Sequence, residues 1–104
     1  MTDRIYEIYW ANGFERSLAR MNLTLEMFEK LGGKLGVDFL LEVDPYEKDA
    51  TFELSGTGHR YLRTRDRFPD LPAMLVAYEV DPRARVVTIK GAERAWEDDL
   101  VPPL

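Results

Sequence analysis

Two apolar runs, Met74–Val80 and Arg85–Ile89, flank the separator Asp81-Pro82-Arg83-Ala84. Both runs are rich in β-branched and aromatic residues. Pro82 presets the backbone for the first corner of a turn, and Asp81 can bond back to it. The pattern predicts an antiparallel hairpin over residues 73–91. In the first run Met74, Val76, Tyr78 and Val80 share one face, yet Leu75 and Ala77 on the other are apolar too. In the second run Val87 and Ile89 face one way, and Val86, Thr88 and Lys90 the other. A hairpin that is apolar on much of both faces needs cover and needs neighbouring strands, so it is expected at the centre of a sheet.

The rest of the chain supplies both. Residues 4–10 alternate as a first strand, with Ile5, Glu7 and Tyr9 on one face and Tyr6, Ile8 and Trp10 on the other. Asn12, with Glu15 three residues on, has the spacing of a helix N-cap and capping box. From Phe14 the period changes. Phe14, Leu18, Met21, Leu25 and Phe28 step by four, three, four and three, which is one stripe of a helix. Asn22-Leu23-Thr24 allows a break there, giving two helices in a hairpin in place of one. Gly32-Gly33 and Gly36 weaken helix beyond Leu31, each costing about 1 kcal/mol against Ala. Residues 37–43 fit helix or strand. Helix is preferred because Val37, Leu40 and Leu41 fall on one face, and Asp44-Pro45 ends either.

Residues 46–50 read as a polar loop, 51–55 as a short strand ended by Gly56-Thr57-Gly58, and 59–65 as a half-exposed strand. In the latter His59, Tyr61, Arg63 and Arg65 share one face and Arg60, Leu62 and Thr64 the other. A loop with Pro69 and Pro72 leads into the hairpin. After Gly91 the chain forms a short acidic helix or an extended tail, and Pro102-Pro103 ends regular structure. The expected architecture is one α+β domain over 1–104. It has a mainly antiparallel twisted sheet of four to five strands and an N-terminal helical hairpin packed on one face.

Composition narrows the chemistry. The chain has 104 residues, 45% of them hydrophobic, with five Phe, five Tyr and two Trp, which suits a chain with a packed core. No apolar run approaches about 18 residues, so no membrane span is expected. The N-terminus lacks a signal-peptide layout, which points to the cytoplasm. Absence of cysteine excludes disulfides, a thiol nucleophile and thiolate metal sites. The lone His59 argues against a histidine metal cluster. Neither metal nor cofactor is expected. Glu42, Asp44, Glu47 and Asp49 lack the spacing of a calcium loop and read as a solvated acidic stretch.

Net charge is −5, the opposite of a typical nucleic-acid binder. Charge is unevenly placed, however. His59, Arg60, Arg63, Arg65 and Arg67 crowd together, while 38–53 and 93–99 are acidic. The basic strip is either a solvated strand face or a site for phosphate or an acidic partner.

Taken in order, these segments resemble the RelE/ParE superfamily of bacterial type II toxins. Phe14–Met21 is similar to the family's first helix, and Leu41-Glu42-Val43-Asp44-Pro45 to a helix end. Leu54-Ser55-Gly56 with Arg60-Tyr61-Leu62-Arg63 resembles the "L-x-G … lR-x-R" step. Val76–Asp81 with Arg85–Ile89 resembles the "v-x-Y-x-v-D … r-v-V-x-I" hairpin. The resemblance implies a toxin-like component of a toxin–antitoxin system. Family members either cleave mRNA on the ribosome or inhibit gyrase, and both kinds are neutralised by an antitoxin. The partners implied are therefore a cognate antitoxin, with ribosome and mRNA or gyrase as target, and a homodimer is left open. For RNA cleavage the matching positions imply His59, Arg63, Arg65 and Arg94 as catalytic residues. Arg forks would hold phosphate, and His59 would move a proton. Arg60, Arg67 and Trp96 are implied as contacts to nucleic acid or partner, Trp96 by stacking. The sequence departs from the pattern at Met74-Leu75, where many members carry Tyr-Arg. A non-catalytic protein binder and a dimerising scaffold therefore remain as alternatives.

Overall fold

The computed structural model describes residues 5–54, 58–65, 67–68 and 70–94. In chain order the elements are β1 (Glu7–Trp10), α1 (Gly13–Ala19), α2 (Leu25–Lys30), α3 (Gly33–Val43), β2 (Thr51–Glu53), β3 (Arg60–Arg63), β4 (Met74–Asp81) and β5 (Val86–Arg94). The five strands form one sheet in the order β1-β5-β4-β3-β2. Three of the four pairings are antiparallel, and β1 runs parallel to β5. This is an α+β architecture with a mixed sheet.

The expected hairpin is there, and β4 is the middle strand. Asp81 makes the turn: its Oδ1 accepts the N–H groups of Arg83 and Ala84 at 3.0 and 3.1 Å. Arg85 leaves the turn at φ 57°. The register slips between Ala77 and Tyr78, which face Gly91 and Ile89, so Lys90 is an extra residue in β5. Such a bulge adds twist to the ladder. The slipped Lys90 reaches Glu79 at 3.7 Å on the sheet's outer face.

The core lies between the helices and one face of the sheet. Phe14, Leu18, Phe28, Val37 and Leu41 from the helices meet Leu62, Met74, Val76, Tyr78, Val87 and Ile89 from the strands. Trp10, Phe14 and Phe28 pack edge-on to one another, with ring centroids 4.7 to 6.0 Å apart, the geometry the ring quadrupoles favour. Ser17 fastens α1 to β5, its hydroxyl accepting the Ala92 N–H at 2.8 Å while donating to the Phe14 carbonyl at 2.6 Å. The sheet's other face carries a smaller cluster, Leu75 beneath Phe52 and Tyr61.

The stripe from Phe14 to Phe28 is broken where the sequence allowed. Asn22 takes φ 59°, and Thr24 caps α2 by accepting the Met27 N–H at 3.0 Å. Residues 37–43 are helical, as preferred. One local expectation fails. Asn12 is not a side-chain cap: it already lies in the helical region (φ −59°, ψ −28°), and its side chain makes no capping bond. The Ala11 carbonyl instead accepts the Phe14 N–H at 3.0 Å, so a backbone turn starts α1. The glycines at 32–36 interrupt the helix beyond Leu31 without ending helical structure. Gly32, at φ 81°, separates α2 from α3, and the helix resumes at Gly33. A Cβ on Gly33 would lie 2.7 Å from the Phe28 ring. The lost helix propensity is exchanged for close packing of a core aromatic.

Phe28→Ala is expected to destabilise the fold by about 3–5 kcal/mol, read from denaturant unfolding. Thr24→Ala should cost about 1 kcal/mol by loss of its cap, whereas Asn12→Ala should leave the unfolding midpoint essentially unmoved.

Candidate functional site

The basic strip sits on β3, second from one edge, and strand alternation divides its residues between two faces. Arg60 and Leu62 point toward the helices, Tyr61 and Arg63 away from them. Arg60 is enclosed. Its Nε donates to the Tyr78 hydroxyl at 3.2 Å and its Nη2 to Thr51 Oγ1 at 3.0 Å. Its guanidinium lies 4.9 Å from the centre of the Tyr46 ring, and Nη1 is 4.0 Å from Glu53. The Tyr78 hydroxyl in turn donates to the Pro45 carbonyl, and the Thr51 hydroxyl to the Glu47 carbonyl at 2.7 Å. Arg60 thus ties β2, β3, β4 and the loop after α3 together.

Arg63 sits on the outer face, its guanidinium 5.0 Å above the Phe52 ring, which itself stacks on Tyr61 (5.4 Å, 24°). Its Nε is buried without a hydrogen-bond partner. Arg65 follows β3 and is exposed. Arg67 turns back to Glu47 at 2.8 Å and Asp49 at 3.9 Å. Arg63 pairs with Leu75, Leu75 with Glu93, and Met74 with Arg94. The sheet therefore gathers Arg63, Arg65 and Arg94 at one end, with Glu93 among them. His59, exposed, precedes the other end of β3, about 13 Å from Arg63 at a strand's rise of about 3.3 Å per residue. Its carbonyl accepts the Leu54 N–H at 2.9 Å. Trp96 lies outside the described residues. Among the described residues no three acidic, histidine or cysteine side chains gather as a metal site, and no helix is long and apolar enough to cross a membrane.

Other features of the surface were passed over in the sequence. Leu35 and Phe39 on α3 are 79% and 68% exposed. Their signal was present: with Val37 and Leu41 turned to the core, the i,i+4 pair Leu35 and Phe39 falls on the opposite side of the helix. Two clefts flank β1. One, of about 330 Å³, is lined by Trp10, Asn12, Glu15 and Lys34 among others. The second, of about 670 Å³, runs along Ile5–Tyr9 to Glu42 and Arg85.

No family model matches the chain, and no curated protein is a significant match. Solved structures do resemble it. A chain of the toxin–antitoxin complex RelBE2 from Mycobacterium tuberculosis superposes with a TM-score of 0.59 at 15% identity, over 86% of this chain and 98% of that one. The conserved hypothetical protein HP0892 from Helicobacter pylori gives 0.47 at 14% identity, over 92% and 99%. The first likeness shows that this chain shares the fold of that chain of the RelBE2 complex.

Burial raises the Tyr78 phenol above its ordinary value of 10.0, while the hydrogen bonds to Arg60 and Thr51 and the Arg60 charge pull it down. The neutral phenol is the form the fold favours. Its contribution is complete below the unfolded-state value and is lost as pH rises through the higher folded value. Stability measured by denaturant should therefore fall above about pH 10, and Tyr78→Phe should flatten that fall. Arg60→Ala should cost about 1.5–3 kcal/mol at neutral pH, since it strips a charged donor from two buried hydroxyls.

Proposed function

We propose that this chain is the toxin-like member of a toxin–antitoxin pair and that it acts on its target by protein binding, without cutting RNA. The fold it shares with a chain of a toxin–antitoxin complex supports the first half. The second half rests on one observation: of the residues implied for RNA cleavage, His59 stands apart from Arg63, Arg65 and Arg94, which the sheet gathers at its other end. Arg60 is consumed in the fold, Arg67 is paired with Glu47 and Asp49, and His59 lies at the far end of β3 from Arg63. From Cα to Cα, His59 and Arg63 are about 13 Å apart along the strand, whereas general acid–base catalysis requires hydrogen-bond reach of the scissile bond. The chain's charge of −5 also opposes docking on nucleic acid. Protein targets carry no such requirement, and the outer face offers Phe52, Tyr61 and Arg63, residue types enriched in interface hot spots.

A second reading keeps RNA as the target. It is favoured by the Phe52–Tyr61 stack beneath Arg63, a platform on which a base can stack beside the cations Arg63 and Arg65.

Induction of the chain in a bacterial host separates these readings. Growth arrest is expected, with no new transcript ends on primer-extension mapping. Growth at the normal rate with abundant soluble protein would remove the toxin role. New transcript ends that disappear in Arg63→Ala and Arg65→Ala would establish RNA cleavage in place of protein binding.

A further inference from the structure

The outer face of the sheet carries a cation seated on aromatic rings, with a second beside it. Leu75 is buried there beneath Phe52 and Tyr61, and these two rings are only half-buried. Arg63 lies over the Phe52 ring at 5.0 Å, with its Nε buried and without a hydrogen-bond partner. Arg65, two residues on, is exposed. Neither forms an ion pair among the described residues, whereas Arg60 and Arg67 are both matched to carboxylates. A guanidinium held over a ring, with its fork unused, is prepared to take a carboxylate.

The chain carries carboxylates within reach. β5 ends at Arg94 in register with this corner of the sheet: Glu93 pairs with Leu75, and Leu75 with Arg63. Neighbouring strands are about 4.8 Å apart, so Arg63 lies about 10 Å across the sheet from Glu93. Residues 95–104 lie outside the described residues. Their sequence, Ala-Trp-Glu-Asp-Asp-Leu-Val-Pro-Pro-Leu, has three acids and no base. Glu97, Asp98 and Asp99 stand three to five positions beyond Arg94, an extended reach of about 10–18 Å. That reach covers the distance to Arg63 and Arg65. The sheet's other face is closed at this corner, where Ser17 fastens α1 to β5 by accepting the Ala92 N–H at 2.8 Å. The outer face, which no helix covers, is the open route.

We propose that Glu97, Asp98 and Asp99 turn back over the outer face and set their carboxylates on Arg63 and Arg65, so that the chain screens its own cation–aromatic surface. Charge complementarity and tether length together select this occupant. A short flexible tether holds the carboxylates at an effective concentration in the millimolar range, and an acidic partner must compete against it. Arginine–carboxylate pairs open to solvent are individually weak and are screened by salt, which suits a cover that yields to a better-fitting partner. The contact itself stands on charge and reach. Its role as a screen rests on the protein-binding reading of this face, and the two are tested separately.

The chain has no cysteine, so Leu100→Cys gives a single attachment point for a nitroxide on the full chain. Paramagnetic broadening is expected at the amides of Tyr61 and Arg63. Glu97→Gln, Asp98→Asn and Asp99→Asn together should reduce it roughly threefold or more, and raising salt from about 0.05 to about 0.5 M should act in the same direction. Arg63→Glu with Arg65→Glu should abolish the broadening. Adding Glu97→Lys, Asp98→Lys and Asp99→Lys to that pair should restore it, which an unfolded variant would not do. On induction, the neutralised segment should deepen growth arrest. The proposal is overturned if the broadening is absent or indifferent to neutralisation. It is equally overturned if the broadening arises only between a nitroxide-bearing chain and a second, isotope-labelled one, which would make a second copy the occupant. Arrest of equal depth with and without the three acids would overturn the screening role. Broadening that responds as expected, with no growth arrest in either form, would support the contact and remove the toxin role.

Discussion

The structure depends on the need of β4 to leave water on both faces. Met74, Val76 and Tyr78 require cover on one side and Leu75 on the other, and burial of each large apolar side chain is worth roughly 1.5–3 kcal/mol. The strand must therefore be central, flanked by β5 and β3, with helices on one face. The helices and β1 answer with three aromatic rings, Phe14, Phe28 and Trp10, packed edge to face. The outer face answers only with Phe52 and Tyr61, so it stays thin and leaves Arg63 on top of an aromatic shelf.

Arg60 shows how the same constraint disposes of charge. A guanidinium on the helix side of a sheet is costly unless each donor is matched. Here Tyr78, Thr51, Glu53 and the Tyr46 ring supply the match. The residue that alternation assigns to the inner face becomes a tie between strands. Its neighbours Arg63 and Arg65, on the outer face or beyond the strand, keep their charge available for a partner. Clustering in sequence and clustering in space are different things on a β-strand, because adjacent residues point apart and residues four apart are separated by more than a hydrogen bond can span.

Much of the fold was legible. The hairpin, its Asp81 turn, the stripe from Phe14 to Phe28, the break at Asn22–Thr24 and the faces of β3 all follow from periodicity and turn chemistry. The helical state of 37–43 was legible as a preference. The cap at Asn12 was misread because the spacing suited a side-chain bond, while the backbone turn from Ala11 had already oriented the first donors. Propensity accounts for the break at Gly32 but not for the Phe28 ring that Gly33 admits. Of the candidate site, the residue types were legible and their assembly was not. Arg67 turns to Glu47 across a loop, and His59 and Arg63 are held apart by the strand that joins them.

The chain by itself determined which faces must be buried, where the central hairpin turns, and which side of β3 each cation takes. These are consequences of local geometry, a period of two or of about 3.6, and so are written in short windows of sequence. The tertiary structure alone decided that β1 lies parallel to β5, that it occupies an edge, and that α3 borders that edge with Leu35 and Phe39 uncovered. These facts arise from contacts between residues far apart along the chain, for which no local pattern exists.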